Sequence, residues 1–123
     1  MRFLSMIRVD ETTGQVPSEK LMADMGKLME EMTRTGALVS TAGLLPTKDG
    51  ARVRLQGGRL ARTDGPFTES KEVIGGYAII EAKSLDHAIE LTNRFLEVHG
   101  TEWSLECEVR PLAGPDFGCG LEK

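Results

Sequence analysis

Gly75-Gly76-Tyr77-Ala78-Ile79-Ile80-Glu81-Ala82 is the stretch on which the fold turns. In an extended chain successive side chains point to opposite faces. Tyr77 and Ile79 therefore share one face and Ala78 and Ile80 the other, and both faces are apolar. A strand with one wet face alternates apolar with polar residues, whereas one that is apolar on both is covered on both. Residues 75–82 thus predict a central strand buried on two sides. Ser84 follows as a helix N-cap, and the next inward stripe reads Leu85, Ala88, Ile89, Thr92, Phe95 and Leu96.

The flanking segments extend the pattern. Residues 2–9 set Phe3, Ser5, Ile7 and Val9 against Leu4, Met6 and Arg8, again largely apolar on both sides. After the 10–17 loop, Ser18 caps a helix whose Leu21, Met22, Met25, Leu28, Met29 and Met32 fall on one face, with a Glu30–Arg34 pair outside and Gly36 as the stop. Its methionines read as core filler, the alternative being an adaptable Met-rich binding face. Residues 37–45 form a strand ending at Pro46. Residues 52–56 and 59–63 flank Gly57-Gly58, a two-residue hairpin signal. The hairpin register puts Val53, Leu55, Leu60 and Arg62 on one face and Arg52, Arg54 and Arg59 on the other. Residues 104–112 close the series, with Leu105, Cys107 and Val109 alternating with Glu106, Glu108 and Arg110.

The order is β-α-β, hairpin, β-α-β. Without the hairpin this is the α+β, ferredoxin-like βαββαβ arrangement. Two helices cover only one face of such a sheet, yet its strands are apolar on both. A second copy packed sheet to sheet is the simplest cover, so a homodimer is expected.

Composition bounds the function. The chain has 123 residues, 15 basic and 19 acidic, a formal net charge of −4 and 40% hydrophobic residues. That suits one domain over residues 1–112 with a glycine-rich tail at 113–123. The charge has the wrong sign for a phosphate-backbone binder, so no nucleic acid partner is expected. No apolar run approaches the roughly 18 residues of a membrane span. Two cysteines and no basic-then-apolar leader point to a reduced, cytoplasmic protein. Cys107 reads as a buried small hydrophobe and Cys119 as a free thiol on the tail. His87 and His99 have no paired Cys/His spacing around them and read as solvated positions, and neither a metal nor a cofactor is implied.

The least ordinary segment is Thr63-Asp64-Gly65-Pro66-Phe67-Thr68-Glu69-Ser70-Lys71-Glu72. Pro66 fixes its own φ and biases Gly65 away from helix, and the Asp64 side chain suits an Asx-type turn. Phe67 then reads as a plug that anchors the loop to the core. The segment resembles the DGPF signature of the YCII-related proteins. Gly43-Leu44-Leu45-Pro46, the hairpin, Gly75 to Glu81, Ser84-Leu85-Asp86-His87-Ala88 and Glu108-Val109-Arg110-Pro111 resemble that family too. The resemblance covers residues 1–112 and implies a dimeric α+β barrel of ferredoxin-like protomers with no settled activity. The gene contexts of some members imply a link to extracytoplasmic-function sigma factors. One branch of the wider family pairs a His near the start of the first helix with an Asp. The matching Ser18-Glu19-Lys20-Leu21 contains no His, which argues against such a dyad here.

A barrel between two sheets leaves a cleft at each end, and the 64–72 loop is the expected border of a small-molecule site. Asp64 is the candidate base, Lys71 or Arg54 its electrostatic partner, Phe67 and Tyr77 the apolar wall, and Glu69, Lys71 and Glu72 a charge cluster. The bland alternative makes Asp64 a turn cap and the charges solvated. A different class of function, a regulatory or protein-interaction module, would use the Arg52, Arg54 and Arg59 face against an acidic partner.

Overall fold

A computed structural model describes residues 1–114. The chain runs β1 (Arg2–Val9), α1 (Glu19–Arg34), β2 (Leu38–Gly43), β3 (Ala51–Gln56), β4 (Arg59–Asp64), β5 (Val73–Glu81), α2 (Leu85–His99) and β6 (Glu106–Pro111). Short 3-10 turns at Glu11–Thr13 and Thr47–Asp49 lie in the connections. The main sheet has the order β2-β5-β1-β6 and every pairing is antiparallel. This is the ferredoxin-like α+β arrangement, with β5 and β1 central. The β3-β4 hairpin is a separate two-stranded sheet.

The hairpin register is the expected one: Val53 faces Arg62 and Leu55 faces Leu60, while Arg52, Arg54 and Arg59 lie on the opposite side. Gly57 and Gly58 have φ of 59° and 79°, the two consecutive left-handed residues that a tight hairpin turn of this kind requires.

The core lies on the helix face of the main sheet. Phe3, Leu38 and Ile80 of the strands pack with Leu28 and Met32 of α1 and with Ala88 and Leu91 of α2. Partner residues across the strands share a face, so Phe3 with Ile80, and Ser5 with Ala78 and Val109, fix the inward side. Leu4, Met6, Tyr77 and Ile79 are on the other side and none belongs to that core. They are half-buried by their neighbours in the sheet, and both helices contribute their buried residues to the opposite face. Within one chain, then, the sheet is covered on one side.

Two helical stripes differ from the sequence reading. In α2 the buried residues are Ala88, Leu91 and Thr92, whereas Leu85 and Ile89 are 46% and 40% exposed. Two apolar stripes compete on this helix, and the one containing Leu91, Phe95 and Val98 meets the core. In α1 only Leu21, Leu28 and Met32 are buried, and Met22 is 62% exposed. The core-filler reading therefore holds for Met32 but not for Met22.

The histidines are likewise tied to the fold. Ser84 Oγ accepts from the His87 amide at 3.1 Å, and His87 Nδ1 accepts from the Lys83 amide at 3.0 Å, a reciprocal cap at the start of α2. His99 Nδ1 is 2.9 Å from the Phe95 carbonyl in the last turn. Cys107 is half-buried, and burial pushes its thiol pKa up. The expectation for Cys119 lies outside the described residues.

Candidate functional site

The 64–72 loop is held by a polar clamp that begins at the other end of the chain. Thr47 receives both oxygens of Glu11: its amide donates to Oε1 at 3.0 Å, and its hydroxyl donates to Oε2. The same hydroxyl oxygen accepts from the Phe67 amide at 3.1 Å. Gly65 donates its amide to the Gly50 carbonyl at 2.9 Å. A Cβ on Gly65 would stand 1.6 Å from the Thr47 carbonyl oxygen, so the Asp-Gly-Pro turn needs glycine for close backbone approach. The Gly65-Pro66 peptide is cis. The two Thr47 hydrogen bonds hold the Glu11 carboxyl below the usual carboxylate range, the side-chain bond first and the backbone bond second.

Arg52 ties the loop to the hairpin. Its guanidinium donates to Glu69 and, at 3.1 Å, to Ser70 Oγ, and it lies 3.9 Å from the centre of the Phe67 ring. Glu69 is correspondingly held below its ordinary pKa, first by its own backbone amide and then by Arg52. Phe67 is half-buried beneath that guanidinium and does not belong to the core, so it anchors the loop by a cation-π contact rather than as a core plug.

Between this loop, the 43–51 connection and the end of the main sheet lies a cleft of about 690 Å³. Arg8, Leu44, Thr47, Arg52, Phe67 and Glu72 are among its walls. Arg8 reaches Glu72 and Glu108 only at 3.7 and 3.8 Å, long for charge-assisted hydrogen bonds, so its guanidinium keeps donors to spare.

The residues singled out from the sequence are distributed unevenly about this cleft. Phe67 and Glu72 line it, and Glu69 buttresses it through Arg52. Asp64, at the end of β4, is exposed, accepts from Arg62 Nε at 2.6 Å and is not on the cleft wall. Its carboxylate thus has a side-chain partner instead of the amide of an Asx turn. Lys71 is exposed, and Arg54 lies on the hairpin's basic face away from the lining. Tyr77 points to the open face of the sheet beside Met6. Arg8, Arg52 and Thr47 were the residues missed as site formers. Arg52 and Arg54 are equivalent by alternation, and only the loop's return path decides which of them meets Glu69.

Among the described residues no group of three or more His, Cys, Asp and Glu side chains converges as a metal site, and no helix is long and apolar enough to cross a membrane.

The model of the YCII-related domain matches residues 1–99, which span β1 through α2 and include the clamp and the cleft. The chain belongs to the YCII-related family. The domain is also 34% identical over 95 residues to an uncharacterised protein of Rhizobium meliloti (strain 1021), an alignment covering 77% of this chain and 75% of that one.

Proposed function

We propose that this YCII-related domain binds a small anionic molecule in the cleft beneath the 64–72 loop, and that two copies pair through their open sheet faces. The observation that carries the binding reading is Arg8: a half-exposed guanidinium on the wall of a 690 Å³ cleft, with its carboxylate neighbours no closer than 3.7 Å. An anion that displaces Glu72 gains a charge-assisted pair without requiring Arg52 to leave its place over Phe67. A thermal-shift series with small mono- and dicarboxylates tests this. The reading expects a carboxylate that raises the melting temperature of the wild type but not of Arg8→Gln, and a series without any such compound contradicts it.

Pairing is supported by the apolar surface that one chain leaves uncovered. Leu4, Met6, Tyr77 and Ile79 form the centre of the open face. Val53, Leu55 and Leu60 of the hairpin are 72%, 69% and 77% exposed. Apolar surface left accessible in this way marks association sites. A partner on the open face would also lie next to Arg8, so pairing and the cleft are coupled by position.

A second reading rests on the hairpin. Among the described residues Arg54 and Arg59 have no carboxylate partner, and they share one exposed face. That face suits an acidic protein surface, as in a regulatory module linked to extracytoplasmic-function sigma factors. Saturable binding of an acidic partner that Arg54→Glu abolishes and Arg8→Gln spares would favour it.

A further inference from the structure

The main sheet is irregular where it meets the cleft beneath the 64–72 loop. Pairing of β1 with β5 sets Met6 opposite Tyr77 and Ile7 opposite Gly76, then shifts by one residue, so that Arg8 stands opposite Ile74 and Val9 opposite Val73. Gly75 is the extra residue of this bulge. An unbroken ladder would set Gly75 beside Arg8, and glycine has no side chain to offer. Bulges re-aim side chains. This one puts Ile74 next to the guanidinium and on the same face. Glycine suits the extra position, because a Cβ there would stand 2.7 Å from Cγ2 of the stiff, β-branched Val9.

A third residue extends the row. The Leu44 amide donates to the Gly75 carbonyl at 2.9 Å, which carries the β2-β5 pairing one step past the end of β2. Arg8, Ile74 and Leu44 therefore cross three neighbouring strands, and all three line the cleft. At a strand spacing of roughly 4.8 Å the row is about 10 Å long. One end is cationic and the other apolar: Ile74 and Leu44 are 48% and 51% exposed, and Leu45, also on the wall, is 79% exposed. The apolar end continues into a neighbouring groove of about 560 Å³, which shares Leu44, Leu45 and Ile74 and adds Val16. Glu72 and Asp49 also line the cleft, whereas its other arginine, Arg52, is engaged by Glu69, Ser70 and Phe67.

We propose that the anion taken up beside Arg8 is a monocarboxylic acid with an apolar tail long enough to span this row, as in hexanoate or octanoate. Its carboxylate meets the guanidinium and its tail lies over Ile74 and Leu44. This rests on the anion-binding reading above and narrows it to an amphipathic ligand. The head gains a charge-assisted pair. The tail removes from water apolar surface that is exposed in the chain alone. A second anionic group at the far end would meet leucine and isoleucine in place of a cation, with Glu72 and Asp49 on the same wall. Desolvating a charge without a partner is costly, so dicarboxylates and inorganic phosphate are disfavoured.

The test is isothermal titration of the full chain with straight-chain carboxylates from acetate to octanoate, together with adipate and inorganic phosphate. Affinity is expected to rise roughly two- to fourfold per methylene, and octanoate should bind about tenfold or more tightly than adipate or phosphate. Ile74→Ser should flatten the rise, and Arg8→Gln should weaken every acid by a similar factor. Leu85→Ser, at an exposed apolar position of α2, should change neither. Equal affinity for acetate and octanoate, adipate binding as tightly as octanoate, or a rise that survives Ile74→Ser overturns the amphipathic ligand and leaves the anion reading standing. No binding of any carboxylate, or binding untouched by Arg8→Gln, contradicts both. Should Ile74→Ser fail to fold, Leu44→Ser takes its place with the same expected result.

Discussion

Thr47 is the residue on which the recognisable loop depends. One hydroxyl joins the Glu11 carboxylate to the Phe67 amide, and one carbonyl leaves room for nothing larger than glycine at position 65. Gly65→Ala is expected to destabilise the domain by about 2 kcal/mol or more, since the clash is with backbone and cannot be relieved by a rotamer change. Thr47→Val should cost about 1 kcal/mol for the Phe67 amide bond. Both are measured by denaturant unfolding. The Glu11 contribution has a defined pH dependence. Its folded pKa lies below the unfolded value, so its stabilisation is present above the unfolded pKa and is lost as pH falls through the folded one. Glu11→Gln should flatten the acid limb of the stability curve; an unchanged limb would show that the clamp carries no linkage. None of this clamp was legible in the sequence. Glu11 and Thr47 are 36 residues apart in turns without periodicity, and polar contacts between loops leave no repeating signal.

At the scale of elements the sequence was a better guide, because periodicity and caps are local. Ser18 caps α1 as read, its Oγ accepting from the Leu21 amide at 3.0 Å. What the sequence did not disclose is that Glu102, 84 positions away, holds Ser18 by both its amide and its hydroxyl, tying the start of α1 to the turn after α2. Ser18→Ala should therefore lower stability by about 1 kcal/mol for the cap alone. It should also speed amide exchange around residues 100–103, and exchange confined to α1 would argue against the tie. The hairpin was legible down to its register because Gly57-Gly58 determines the turn and the turn determines which residues face each other. The inward stripe of α2 was legible only in part: Ala88, Thr92 and Phe95 turn inward as read, whereas Leu85 and Ile89 are exposed and packing against the strands selects Leu91.

For the whole molecule, a single chain accounts for only half of the two-sided apolar pattern of residues 75–82. Both faces of β5 are apolar, yet one chain covers only the face that carries Ile80 and Ala78. Leu4, Met6, Tyr77 and Ile79 are left half-buried on the other face, beside an arginine that borders the charged cleft. The proposed second copy accounts for that apolar face and places the cleft at the edge of the pair. Met6→Glu puts a charge at the centre of the face and leaves the core untouched, so it should separate the copies without unfolding the chain. Sedimentation velocity of the wild type and of Met6→Glu at micromolar concentration is the most direct test. The account predicts twice the chain mass for the wild type and a folded single chain for the variant, whereas a wild type that sediments as a single chain would contradict it.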